Sequence, residues 1–82
     1  MTDIAADARR IIAGHLGLDE DEVTPESSFA DLGADELDLV ELAMSLEEAF
    51  GLDLPEDVLE QHPTVGAATG WLEAAHARRQ GR

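Results

Sequence analysis

The sequence predicts an all-α protein, a small four-helix bundle with three main helices, a short helix III and a long loop between helices I and II. Three observations support this fold class. The 82 residues suffice for one small domain. Apolar residues recur at helical spacing in three segments, and capping residues and glycines flank those segments. We therefore expect a single domain over residues 1–82, with a frayed tail over residues 77–82.

Helix I is predicted over residues 3–16, where Thr2 or Asp3 can cap its start and Gly17 can end it. Its apolar face consists of Ile4, Ala8, Ile11, Ile12 and Leu16. Residues 17–35 lack sustained periodicity and predict a long ordered loop. Single apolar residues of this loop are expected to enter the core: Leu18, Val23, Phe29 and Leu32.

Helix II is predicted over residues 36–50 and is the strongest helix of the sequence. Asp35 is a good N-cap, Asp38 lies three positions later, and Gly51 is placed to end the helix. The core face of this helix consists of Leu39, Leu42, Ala43, Leu46 and Phe50.

Helices III and IV are predicted near residues 56–61 and 65–77, with Pro55 suited to the first turn of helix III and Thr64 as the cap of helix IV. Gly66 and Gly70 should each weaken helix IV by about 1 kcal/mol relative to alanine. Val65, Ala68, Leu72 and Ala75 face inward, with Trp71 at the border. The expected interior residues of the whole bundle are Phe29, Leu32, Leu42, Leu46, Leu54 and Leu72.

The charge of the chain limits its partners. The formal net charge is -14, and all but two of the 19 acidic residues lie between Arg10 and Arg78, a stretch without lysine or arginine. Such a surface repels nucleic acid and anionic membranes and attracts basic proteins. No apolar run is long enough to span a membrane, and no signal peptide is visible at the N-terminus. A cytoplasmic protein is expected.

Helix II carries a second apolar stripe, formed by Leu37, Val40 and Met44 at positions i, i+3 and i+7. At about 100° per residue this stripe points roughly 130° away from the core face. Glu41, Glu47 and Glu48 border it. Either helix II contacts neighbours on both sides, or the stripe is an apolar docking surface with an acidic rim.

The segment from Asp31 to Asp38 reads Asp-Leu-Gly-Ala-Asp-Glu-Leu-Asp. It resembles the signature of the acyl carrier proteins, Asp-Leu-Gly-Ala-Asp-Ser-Leu-Asp, at every position except the sixth. The resemblance extends in register over roughly residues 4–75, and further matching segments are Ile11-Ile12, Leu16-Gly17, Glu22-Val23-Thr24, Val40-Glu41-Leu42, Leu46-Glu47-Glu48, Leu54-Pro55 and Thr64-Val65.

The resemblance implies an acyl-carrier-protein-like four-helix bundle that is not an enzyme and has no catalytic residues. In the family, the serine that opens helix II receives 4'-phosphopantetheine from coenzyme A, and the thiol of this arm holds acyl chains as thioesters. Partners are synthases, ligases and transferases of fatty acid, polyketide or related biosynthesis, whose basic patches contact helix II. The corresponding partner-binding residues here are Asp35, Leu37, Asp38, Val40, Glu41, Met44, Glu47 and Glu48. A monomer is expected.

The sequence departs from the family at the position where the phosphopantetheine arm is attached. Glu36 has no hydroxyl, so the chain as written should carry no phosphopantetheine, and neither Ser27, Ser28 nor Ser45 is expected to replace the serine. The chain is then an engineered or natural arm-less carrier. The alternatives are a regulatory or scaffolding protein that binds the same enzymes through helix II, and a carrier that uses the Glu36 carboxylate as its attachment point.

No metal site is expected from the sequence. Residues 19–22 are acidic but lack the spacing of a calcium loop. The histidines at positions 15, 62 and 76 lie far apart and show no ligand spacing, so each is interpreted as a surface residue.

Overall fold

The computed structural model describes residues 3–80, and the side chains of residues 3–79. Four α-helices follow one another: α1 (Ile4–Leu16), α2 (Glu36–Phe50), α3 (Val58–Gln61) and α4 (Val65–Gln80), with a 3-10 helix at Glu20–Glu22 in the first loop. In this part of the chain the only β pairing is an isolated bridge between Ser28 and Thr64. The predicted all-α class is confirmed. None of the helices described is long and apolar enough to cross a bilayer.

The helix ends follow local rules that the sequence already contains. The Asp3 side chain caps α1 by accepting a hydrogen bond from the Ala6 N–H at 3.1 Å, whereas Thr2 lies outside the described residues. The Thr64 hydroxyl accepts from the Ala67 N–H at 3.2 Å at the start of α4. Gly17 and Gly51 end α1 and α2 in the left-handed conformation, with φ of 70° and 64°.

The core lies where α1 packs against both α2 and α4. Of the predicted interior residues, all are buried except Leu32, which is half-buried and packs against the edge of the core. The loop residues Val23 and Phe29 are fully buried, so the long loop contributes to the same core as the helices. Further half-buried residues at its edge are Ile11, Leu16, Leu18, Leu39, Phe50, Trp71 and Ala75.

Two predicted helix boundaries are wrong. Helix α3 begins at Val58 rather than near residue 56, because the Val58 N–H donates to the Pro55 carbonyl at 3.1 Å and closes a turn before the helix. Helix α4 continues to Gln80 instead of ending near residue 77. Arg78 and Arg79 are good helix formers, and their charge favours the negative end of the helix dipole. Gly81 and Arg82 of the expected tail lie outside the described residues.

The long loop is fixed across the end of the bundle by backbone hydrogen bonds to the start of α4. Phe29 N–H donates to the Pro63 carbonyl, Val65 N–H to the Ser27 carbonyl and Gly66 N–H to the Pro25 carbonyl, each at 2.9 Å. The approach at Gly66 is so close that a Cβ there would lie 2.9 Å from the Pro25 oxygen. The loop therefore has a defined path into the start of α2.

Candidate functional site: the outer face of α2

The motif before α2 folds as a set of tight turns. The buried Phe29 ring anchors the segment, and the Phe29 carbonyl accepts hydrogen bonds from Leu32 N–H at 3.1 Å and Ala34 N–H at 3.0 Å. Gly33 has a φ of 89°, which side chains with a Cβ rarely adopt. The glycine of the motif is thus required by backbone geometry, and the turns place Asp35 at the helix start.

Asp35 and Asp38 cap α2 reciprocally. The Asp38 N–H donates to Asp35 Oδ1 at 2.9 Å, and the Asp35 N–H donates to Asp38 Oδ2 at 3.0 Å. This arrangement is a capping box, and the predicted N-cap is confirmed. Each carboxylate therefore has one oxygen bound to the backbone, which fixes the orientation of both side chains.

Glu36 is the first residue of α2 and is exposed. A phosphodiester of the carrier type requires a hydroxyl, which glutamate lacks, so the residue at this position does not fit a phosphopantetheine arm. Two nearby hydroxyls serve the loop instead: Ser28 Oγ accepts from the Asp31 N–H at 3.0 Å, and Ser27 Oγ bonds to the Thr24 hydroxyl at 2.9 Å. Ser45 lies nine residues further along α2.

The apolar stripe of α2 lies on the surface. Leu37 and Met44 are 64% and 61% exposed, and Val40 between them is half-buried. The interpretation that α2 contacts neighbours on both sides therefore does not hold for Leu37 and Met44. Exposed apolar side chains of this size, aligned on one helix face, are typical of an interaction surface.

A groove lies at each end of this stripe. The first has a volume of about 470 Å³ and runs between α2 and the α3 region, lined by Glu36, Leu37, Leu39, Val40, Glu56, Asp57 and Glu60. The second, of about 400 Å³, lies beyond Met44 and is lined by Met44, Glu47, Glu48, Gly51, Leu52 and Asp53. Both grooves combine apolar walls with carboxylates, so the acidic rim extends along the whole helix.

The predicted docking acids differ in how tightly the fold holds them. Glu47 is half-buried, and its Oε2 accepts a hydrogen bond from the Leu54 N–H at 2.9 Å, which ties the loop after α2 to the helix. Glu41 and Glu48 are exposed. The structural role of Glu47 was not visible in the sequence, because its partner lies beyond the helix end.

Sequence reasoning also missed a contact between α1 and α2. His15 Nε2 lies 3.6 Å from Glu41 Oε1 and 3.8 Å from Asp38 Oδ1. The His15 side chain is only 21% exposed, so it is not the surface residue that the sequence suggested. His15 lies more than twenty residues before the two acids in the sequence, and only the packing of α1 on α2 brings it to them.

A family model described as "phosphopantetheine attachment site" matches residues 6–72, which is most of the chain. The chain belongs to this carrier family. Carrier domains are not themselves catalytic and interact with biosynthetic enzymes. The matched region includes the turn before α2, the capping box and the exposed stripe.

Three solved structures are similar to this carrier domain. The HMG-ACPI domain from the CurA module of Lyngbya majuscula is 25% identical, with a TM-score of 0.83 over 96% of this chain and 79% of the other. BlmI, a type-II acyl carrier protein from Streptomyces verticillus involved in bleomycin biosynthesis, is 30% identical, with a TM-score of 0.78 over 87% and 83%. A free-standing peptidyl carrier protein from a secondary metabolic pathway of Acinetobacter baumannii is 23% identical, with a TM-score of 0.76 over 85% and 88%.

Proposed function

We propose that this carrier domain docks on enzymes of polyketide-type or related secondary metabolism through the outer face of α2, and that it does so without a phosphopantetheine arm. The observation that carries the proposal is the exposure of Leu37 and Met44 on a helix whose first residue is Glu36. The exposed apolar stripe supports docking, whereas residue 36 lacks the hydroxyl that the arm requires. BlmI, which is 30% identical to this chain, is involved in bleomycin biosynthesis, and this favours partners from a related biosynthetic pathway.

Charged and apolar residues of α2 are expected to contribute to docking in different ways. Exposed acids such as Glu41 and Glu48 attract a basic partner before contact. Salt weakens this attraction, because exposed charges more than roughly 8 Å apart are largely screened at physiological ionic strength. Leu37 and Met44 then supply apolar contact, which the screening of charges does not weaken. A partner is therefore expected to carry a basic rim around an apolar pocket.

The arm is tested by mass spectrometry after incubation with coenzyme A and a promiscuous phosphopantetheinyl transferase. The protein as written should gain no mass, and Glu36→Ser should gain one phosphopantetheine. A mass gain by the unaltered chain would show that another residue accepts the arm, or that Glu36 itself does, and would overturn the arm-less assignment.

Docking is tested with the same transferase, because it must recognise the domain before it modifies it. The unaltered chain should inhibit loading of the Glu36→Ser variant by competing for the transferase, and added salt should reduce the inhibition. Val40→Ala, Met44→Ala and Glu41→Lys should each compete less well. Glu73→Lys makes the same charge change on an exposed position of α4 and serves as the matched control. Equal inhibition by all variants would place the docking surface elsewhere.

A further inference from the structure

The cluster of His15, Asp38 and Glu41 goes beyond the docking function, because its residue types and geometry suit a metal ion. One ligand atom from each residue lies within 4.8 Å of the other two. His15 belongs to the last turn of α1, and the two acids belong to the first turns of α2. The cluster therefore bridges two helices and combines an imidazole nitrogen with carboxylates.

The distances in the cluster exceed those of direct hydrogen bonds. The His15 nitrogen lies 3.6 Å and 3.8 Å from the two carboxylate oxygens, whereas hydrogen bonds between such atoms span about 2.7–3.2 Å. Two ligands held about 2.0–2.2 Å from one tetrahedral zinc ion lie roughly 3.3–3.6 Å apart. The two separations from His15 therefore need to close by only a few tenths of an ångström to suit such an ion, and the two carboxylate oxygens lie within 4.8 Å of each other.

The Asp38 carboxylate is also oriented by a hydrogen bond from the backbone. Asp38 Oδ2 is held by the Asp35 N–H, which leaves Oδ1 directed at His15. Outer hydrogen bonds of this kind orient metal-binding carboxylates in known sites. Within residues 3–79 neither Asp38 nor Glu41 forms an ion pair with an arginine, and Arg9 and Arg10 pair instead with Asp21 and Asp7.

We infer that His15, Asp38 and Glu41 form a binding site for a divalent transition metal of the zinc class. An imidazole favours zinc over magnesium and calcium, which prefer oxygen ligands alone. Three protein ligands leave one position of a tetrahedral ion open to solvent or to another ligand. The site lies in the acidic rim of α2, so the ion would lower the negative charge of that surface.

The test is calorimetric titration of the full chain with zinc chloride. Magnesium chloride is the control ion, because its binding reports attraction by net charge alone. We expect one zinc site, weakened at least about tenfold in both His15→Gln and Glu41→Gln. Two controls should stay within about twofold of the original. Glu48→Gln removes the same charge elsewhere on α2, and His76→Gln removes an imidazole from α4. Circular dichroism checks that each variant is folded, and Glu41 is exposed enough to be replaced without loss of the core.

Nuclear magnetic resonance of the imidazole signals supplies a second readout. Zinc should shift the His15 signals at one equivalent and leave those of His76 unchanged, in a protein without any substitution. The inference is overturned if all four variants bind zinc alike, if zinc binds no more tightly than magnesium, or if the His15 signals do not respond. In those cases His15 contributes only to the packing of α1 on α2.

Discussion

The two faces of α2 differ in the exposure of their apolar residues. Leu42 and Leu46 on the inner face are fully buried, whereas Leu37 and Met44 on the outer face are more than half exposed. All four are large apolar residues on one helix of 15 residues. The inner face is built for stability and the outer face is the proposed docking surface, so substitutions on the two faces should separate stability from docking.

The largest expected effect is the loss of stability when the inner face is truncated. Leu46→Ala removes a fully buried side chain from the core, so the free energy of unfolding should fall by about 2–5 kcal/mol. Met44→Ala on the outer face should change it by less than about 0.5 kcal/mol, as is usual for surface substitutions. Urea denaturation of both variants measures the difference, and similar losses would mean that Met44 also packs in the fold.

Two glycines of α4 lie in different environments, one close to the long loop and one in open space. A methyl group at Gly66 would meet the Pro25 carbonyl, so Gly66→Ala should destabilise the domain by about 1–3 kcal/mol through overpacking. Gly70 is exposed with nothing within 4 Å, so Gly70→Ala should stabilise it by up to about 1 kcal/mol. Thermal melts of the two variants should shift in opposite directions. If both stabilise the domain, the loop does not hold its position against α4.

Salt should change the repulsion between exposed charges and leave the apolar contacts of the core unchanged. With a net charge of -14 the folded chain repels itself, and screening relieves this repulsion. If the repulsion amounts to about 1 kcal/mol, the melting temperature should rise by about 4–8 °C between low and high sodium chloride concentrations. Magnesium should act at lower concentration because of its double charge. A melting temperature independent of salt would show that the acids are too far apart to interact.

The smallest expected effect is at Glu36 itself. Its carboxylate lies in the first turn of α2, where free N–H groups and the positive end of the helix dipole favour an anion. Glu36→Gln and Glu36→Ser should therefore lower the free energy of unfolding by about 0.3–1 kcal/mol at low salt. Denaturant melts of the three proteins measure this. Equal stability of Glu36→Gln and the original chain would show that the charge contributes nothing.

The sequence predicts most of this fold because most of its helix signals are local. Asp3, Asp35 and Thr64 cap helices through bonds to residues three positions away, and Gly17 and Gly51 end helices through their own backbone conformation. The predicted start of α3 is two residues too early, because the Val58 N–H closes a turn with the Pro55 carbonyl before the helix begins.

What the sequence did not predict depends on contacts between distant segments. The hydrogen bond of Glu47 to Leu54 requires the path of the loop after α2. The proximity of His15 to Asp38 and Glu41 requires the packing of α1 on α2. Gly66 was interpreted only as a weak point of α4, because its close approach to Pro25 depends on where the long loop runs.

The capping box has a consequence for the thermodynamics of binding. Asp38 is already fixed by its bond to the Asp35 N–H, so a ligand that binds its second oxygen does not have to freeze the side-chain rotamers. Ordering an exposed, flexible side chain on binding costs about 0.5–1.5 kcal/mol, and Glu48 is such a side chain. Conformational entropy therefore favours a contact at Asp38 over an equally charged contact at Glu48.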